Sequence, residues 1–411
     1  MILNINILCA VILSLSLTGY TVLSGIFEFL GINQTPAVIV MRTFILLTSL
    51  FILANSLLVK KKFKNITLAK LLLSFWLLYL VKIAIVTLLE PESLHRPVSD
   101  FWIWGAGVCM FPMLAVTCQE KAVTFKLVFK YVYVLTYVSA LLALILGKTQ
   151  INNGTETYDI GRLNTNSMNP ITIGHLGATL GLLSLWGIVV GYNNEGKNLW
   201  TIINSRFNYI IGAFLGLILM LMAASRGPIL SFSLAVIFYL MANNLSRFIK
   251  VAPIIVIAIL ILYPVGYYLE SSFGYNAISR MEGLLSFSGD TISSRDLSFF
   301  GALNQFIENP IFGDTIEERT SGFYPHNITL EAFMATGIIG GLIVLSVYTN
   351  VFYYAVKSFK YNRPHTWILI LLLHRLFAAQ TSGALYSSGE FWVLLGAIVV
   401  LQSEKYAVIN K

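Results

Sequence analysis

The run Phe323 to Gly341, FYPHNITLEAFMATGIIGG, places a histidine and an asparagine after a proline and directly before an apolar, glycine-bearing segment. His326 is the most reactive side chain in this run. Asn327 has the side chain of a helix N-cap, and Glu331 suits the first turn of the helix that follows. N–H groups exposed at such a helix start attract an anion, and the same positive end disfavours an imidazolium. A neutral histidine beside an anion site is how a general base is set near a phosphate leaving group. A polar residue at a water boundary is the plainer reading. Ala332, Thr336 and Gly340, with Gly337 and Gly341, are small enough for this helix to pack tightly against a neighbour.

Such a site must be positioned by membrane-spanning helices. The chain has 411 residues, of which 57% are hydrophobic and only 11% charged, and a mean hydropathy of +0.77. One soluble core cannot hide that much apolar surface. Apolar runs of about 20 residues match a hydrocarbon layer roughly 30 Å thick. Twelve are predicted, near 7–30, 36–59, 68–89, 100–118, 126–147, 171–191, 207–224, 228–242, 247–269, 328–356, 366–382 and 390–403. The expected fold is an all-α polytopic membrane protein, one integral membrane domain over 1–411. The first span lacks a basic leader and a cleavage site, so it is expected to be retained.

Basic residues orient the spans. Alternate loops carry 17 of the 27 lysines and arginines, against seven on the other side and three within spans. The richer side should be cytoplasmic, with both termini inside. The charge of +8 is then mostly a topology signal whose partner is membrane lipid, and nothing points to nucleic acid. Cys9, Cys109 and Cys118 all fall within predicted spans. The last two lie about 13 Å apart along a helix, too far to bridge. There is no metal-ligand spacing.

On this topology the outer face carries Arg96, Arg162, Arg226, Arg280, Arg295 and Arg319 with Lys148 alone, whereas the inner face prefers lysine. Arginine's planar fork grips carboxylate or phosphate through two parallel hydrogen bonds. An outward site for an anionic headgroup follows for the set. Local pairs, Arg295 with Asp296 or Arg319 with Glu317, are the alternative for any one of them, and Arg226 alone suits snorkelling. Two outer loops are long, 148–170 and 270–325, the second too long for a plain connector. Within it, SSRDLSFFGALNQFIENPIFGD reads as an amphipathic helix with a stripe of Leu297, Phe300, Leu303 and Ile307. The stripe either packs inward or lies on the membrane surface, holding Arg295 near lipid headgroups. The small residues of AASRGP, 223–228, allow close approach of a ligand or helix. Of the other histidines, His175 sits one turn inside the sixth span and is placed to line a cavity. His374-Arg375 falls near the middle of the eleventh, where an ionisable pair implies function or a buried partner.

His326-Asn327, nine residues, then GIIGG resembles the motif shared by O-antigen ligases and many Wzy-type O-antigen polymerases. ASRGP at 224–228 is similar to that superfamily's arginine motif, the 293–314 stretch to its segment near the end of the large loop, and GRLNTNSMNP at 161–170 to its polar segment entering the middle spans. These matches run in family order over about 160–345, and the N-terminal third carries none. The resemblance implies a GT-C-like, metal-independent glycosyltransferase on the outer face of a bacterial inner membrane, with no cofactor. Its donor is a saccharide on undecaprenyl pyrophosphate. It implies His326 as base and Arg226, Arg162 and Arg295 as the pyrophosphate clamp; Asn327, Arg319 and His175 are expected in support. A chain-length regulator and a flippase are the implied protein partners.

Donor chemistry is common to both activities, so these motifs do not separate polymerase from ligase. The divergent, Asn/Lys/Ile-rich sequence favours the polymerase of O-antigen or capsular repeat units. A lipid-linked sugar transporter is the rival of another class. The absence of an internal repeat and the gathering of polar residues outside the midplane argue against it. A scaffold in a capsule assembly is the third reading.

Overall fold

The computed structural model describes residues 4–58, 66–119, 124–149, 161–191, 205–243, 263–276, 278–279, 282, 294–361, 363 and 365–409. Eleven predicted spans coincide with helices: α1 Ile5–Phe29, α2 Thr35–Leu58, α3 Thr67–Leu89, α4 Val98–Thr117, α5 Phe125–Leu146, α6 Pro170–Val189, α7 Arg206–Ala223, α8 Arg226–Asn243, α10 Ile328–Lys360, α11 Thr366–Ser382 and α12 Gly389–Ile409. The predicted span 247–269 lies outside the described residues as far as 262, and 263–273 is helical. Between these, α9 Ser294–Glu308 is the helix expected in the large loop. The protein is an all-α, multi-pass membrane protein. A two-stranded antiparallel ribbon, β1 Lys148–Thr149 with β2 Leu163–Asn164, stands beside the helices. Arg280, one of the outer cations of the sequence, lies outside the described residues.

Helix neighbours follow residue size. α6 and α7 form the closest pair, and a Cβ on Gly177 would stand 2.6 Å from Gly216 O. Only glycine permits that approach, which replaces hydrophobic drive with close backbone packing in a membrane. α1 packs on α5, α8 on α11, α10 on α3, and α12 on α4. Aromatic rings fill the interior: Phe75 and Trp76 of α3 meet Trp392 of α12, and Tyr79 packs on both of them. Phe129 of α5 meets Trp186 of α6, Tyr209 of α7 and Trp367 of α11. Large apolar side chains such as Leu57, Leu88, Ile145 and Phe214 face outward, as a hydrocarbon surround requires.

The decisive local feature is a break in α10. Gly337 has φ +65° and ψ −163°, a region reached essentially by glycine alone. The chain 310–314 enters the gap. Pro310 O accepts the Ile338 N–H at 2.8 Å, and Met334 O accepts the Asp314 N–H at 2.8 Å. The small-residue face predicted to pack on a neighbouring helix thus admits an irregular strand of the chain's own loop. Gly340 does lie against Leu78 of α3.

The stripe on α9 is turned away from the protein. Leu297, Phe300 and Ile307 are exposed and Leu303 is half-buried, while Ser298, Ala302 and Gln305 form the buried face. Inward packing of that stripe is therefore overturned. The loop is held through polar bonds, which leaves the apolar side free to face lipid.

A Cβ on Gly337 would stand 2.2 Å from Ile311 O. Gly337→Ala should lower stability by more than about 3 kcal/mol. Gly31→Ala, at φ +69° with no atom within 4 Å of its added Cβ, should cost about 1 kcal/mol. Thermal unfolding of the two purified variants checks the contrast.

Candidate active site

The chain leading to His326 is tied down before it arrives. Buried Gln305 donates from Nε2 to Asp314 Oδ2 at 2.9 Å and accepts the Arg319 N–H at 3.1 Å. Arg319 grips both oxygens of Asp314, Nε to Oδ2 at 2.6 Å and Nη2 to Oδ1 at 2.7 Å. Burial alone would raise the Asp314 carboxyl; the bonds from Arg319 and Gln305 hold it below its usual range. Arg319 is therefore paired with Asp314 and not with Glu317. Only Asp314 presents both oxygens to the fork. Glu317 points inward, 2% exposed, and accepts the His95 N–H at 2.6 Å. It also stands 3.6 Å from Arg96 Nε, so it fastens the α3–α4 loop to the large loop.

His326 itself has φ +55°, a left-handed conformation that histidine tolerates better than most residues. Its ring lies 4.5 Å from the Tyr324 ring, centroid to centroid. Nδ1 is buried and has no partner among the described residues. Burial first, then the charges of Arg295 and Arg96, lower its pKa to about 4. The ring is neutral at neutral pH, as the sequence implied, with burial rather than the helix end as the first cause. Arg96 lies near the faces of Phe323, Tyr324 and Tyr386, 5.5 to 5.9 Å from their centroids. Burial pushes the phenol of Tyr324 up.

Asn327 caps α10 as expected, accepting the Leu330 N–H at 2.9 Å, and its Nδ2 donates to Gln380 O at 3.2 Å. Glu331 does more than complement a helix dipole. It is fully buried, and Oε2 accepts the Leu385 N–H at 2.9 Å, fixing the α11–α12 loop against the start of α10.

These elements enclose a cavity of about 300 Å³ lined by His326, Tyr324, Arg295, His175, Arg375 and Glu390, among others. A chamber of about 170 Å³ shares His175, Arg375 and Glu390 with it and reaches Thr136 and Thr179. His175 Nδ1 and His374 Nε2 are 3.2 Å apart, so one ring donates to the other. Arg375 forms an ion pair with Glu390 and donates to Thr179 Oγ1 at 3.3 Å. Arg375 lies seven residues, about 10 Å, inside the end of α11. Polar groups thus extend well into the bundle, with His374 and Arg375 inside the eleventh predicted span as expected and now partnered.

The three arginines expected to act together stand on three different elements. Arg295 lines the cavity. Arg162 is buried and its Nε donates to Ala223 O at 3.3 Å, bracing the α7–α8 turn. Arg226 is exposed at the first position of α8. Its neighbour Gly227 is close to Thr381, since an added Cβ would meet Thr381 Oγ1 at 3.4 Å. Neither Arg162 nor Arg226 is among the cavity-lining residues.

The break at Gly337, the loop seated in it and the cavity beside His326 all involve one stretch of sequence that can be compared with known families. Residues 211–345 match the family model described as O-antigen ligase. About a third of the chain is thus similar to O-antigen ligase family proteins. It contains Arg226, Arg295, Arg319, His326, Asn327 and the Gly337–Gly341 run, but not Arg162, His175 or the Arg375–Glu390 pair. No curated protein and no solved structure matches the chain. Sequence reasoning missed the placement of Arg96 and the deep burial of Glu331. It marked His374-Arg375 without naming a partner. The acidic residue opening the last span, Glu390, was the available signal.

The chemical shift of His326 in ¹³C-histidine-labelled protein should show a neutral ring as pH falls, with protonation only near pH 4. Arg295→Gln removes one repelling cation and should move that titration upward. An unchanged titration would remove Arg295 from the histidine's surroundings.

Proposed function

We propose that the protein polymerises saccharide repeat units carried on undecaprenyl pyrophosphate, at the outer face of a bacterial inner membrane. The observation that carries this is a neutral histidine with a buried, unpartnered ring nitrogen on the same cavity wall as Arg295. In the reaction, His326 takes the proton of an acceptor hydroxyl. That oxygen forms a bond to the anomeric carbon of the donor, and the carbon–oxygen bond to pyrophosphate breaks. The pyrophosphate leaves with the bonding electrons, and Arg295 stabilises its added negative charge. This step needs no metal or other cofactor.

The low pKa of His326 makes it a weak base before substrate binds. A bound pyrophosphate offsets the field of Arg295 and Arg96, so donor binding strengthens the base it needs. Arg226, exposed beside α11, receives the departing pyrophosphate, and Arg162 holds the turn that presents it. The outward stripe on α9 rests on the membrane surface and keeps Arg295 at headgroup level. His175 and Arg375 give the acceptor sugar polar partners within the cavity.

Transfer of a finished chain to lipid A-core is the second reading, favoured by the description of the matched family. Deleting the gene separates the two. Lipopolysaccharide with a single repeat unit marks a lost polymerase, whereas bare core with accumulated lipid-linked polymer marks a lost ligase.

His326→Ala should reduce polymer formation at least 10²-fold with protein level and membrane insertion intact, read by gel profiles of the polysaccharide. Near-normal chains would sink the base assignment. Arg226→Lys keeps the charge and loses the fork, so it should remain impaired; full rescue by lysine assigns Arg226 to snorkelling.

A further inference from the structure

Lys82, Arg375 and Arg42 lie well inside membrane-spanning helices, and two of them are satisfied. Lys82 donates from Nζ to Gly313 O at 3.1 Å, and Arg375 is paired with Glu390. Arg42 is different. It is partly buried on α2, seven residues or about 10 Å from the helix start at Thr35. Its guanidinium lies over the ring of Trp104 at 4.1 Å and near Tyr20 at 5.9 Å. Among the described residues it has no hydrogen bond and no ion pair. An intramembrane cation in that state calls for a counter-ion.

Space for one adjoins it. A cavity of about 170 Å³ is lined by Arg42, Trp104, Tyr20, Ser16, Ser387 and Glu390. The Glu390 carboxylate is taken by Arg375, so the positive charge of Arg42 stands uncompensated there. Ser387 and Glu390 also line the cavity of His326, which makes the two spaces neighbours across the start of α12. Within a quarter turn of Arg42 on α2, Ile39, Leu50 and Leu57 form an exposed apolar stripe, whereas Val40, Phe44, Leu47 and Phe51 lie on the opposite side of the helix. Headgroup charge and tail surface are thus presented together.

We propose that Arg42 binds the phosphate-bearing head of a second polyprenyl-linked saccharide, the acceptor, while Arg295 serves the donor. This rests on the polymerase reading, in which both substrates are lipid-linked. The acceptor's tail runs along the α2 stripe, and its sugar reaches His326 past Ser387 and Glu390. A guanidinium flanked by aromatic rings is already oriented, so its fork meets the phosphate without reorganisation.

Native mass spectrometry of the detergent-purified protein with undecaprenyl pyrophosphate tests this. Wild type should hold two equivalents, Arg42→Ala and Arg295→Ala one each, and the double variant none. Arg42→Gln, closer in shape, repeats the measurement if the alanine variant unfolds. A single equivalent on wild type, or two equivalents retained by Arg42→Gln, overturns the proposal. So does an Arg42-dependent equivalent displaced as readily by phosphatidylglycerol as by undecaprenyl pyrophosphate, which would mark an ordinary lipid site. His326→Ala should keep both equivalents while losing polymer. Polymer retained in that variant defeats the reading of the reaction, yet leaves the count of bound lipids to judge Arg42.

Discussion

The site depends on how a broken helix satisfies its backbone. Within or near hydrocarbon, each freed N–H or C=O costs several kcal/mol, so α10 could not open at Gly337 without replacement partners. Pro310 O and the Asp314 N–H supply them at 2.8 Å each. This exchange does two things at once. It makes the break tolerable, and it anchors residues 310–314 at a set height beside α10. From that anchor only a dozen residues lead to His326, and the bonds among Gln305, Asp314 and Arg319 leave them little freedom.

The electrostatics follow from the same anchoring. Glu317 is carried inward, where it fastens His95 and Arg96, and Arg96 is thereby held among Phe323, Tyr324 and Tyr386. The Asp314 carboxylate is taken by Arg319. Around His326, burial first and then the positive charges of Arg295 and Arg96 keep the ring neutral. Deeper in the bundle the charge balance is local, because Arg375 and Glu390 neutralise one another. A wall with Arg295 above and a neutralised pair below suits a ligand whose anionic end lies uppermost and whose polar, uncharged part reaches inward.

Legibility differed by residue. Span positions were readable because apolar length and the bilayer constrain each other directly, and boundaries such as 35–58 or 366–382 lie within a residue or two of the predicted ones. The cap at Asn327 was readable because its bond closes three residues away. The stripe on α9 was visible, but its direction was not, since a periodic pattern says which residues share a face and nothing about what that face meets. Arg319 was assigned a partner by proximity in sequence, whereas Asp314 won through two-pronged geometry. How Arg162, Arg226 and Arg295 stand to one another was not readable either. Arg162, Arg226 and Arg295 come from three separate elements, and their distances depend on helix packing that no local rule contains.

The sequence by itself determined the membrane class, the helical spans, the His326-Asn327 cap ahead of a glycine-bearing helix and the family that 211–345 resembles. These are properties of composition, periodicity and short spacing, each governed by interactions within a few residues or with the bilayer. Tertiary structure alone decided that Gly337 opens the helix to the loop at 310–314, that Glu331 and Glu317 turn inward, and that Arg375 meets Glu390. It also left Arg42 facing a cavity with no counter-ion among the described residues. Each of these joins residues distant in the chain, and which charge finds a partner is settled only when the helices have packed.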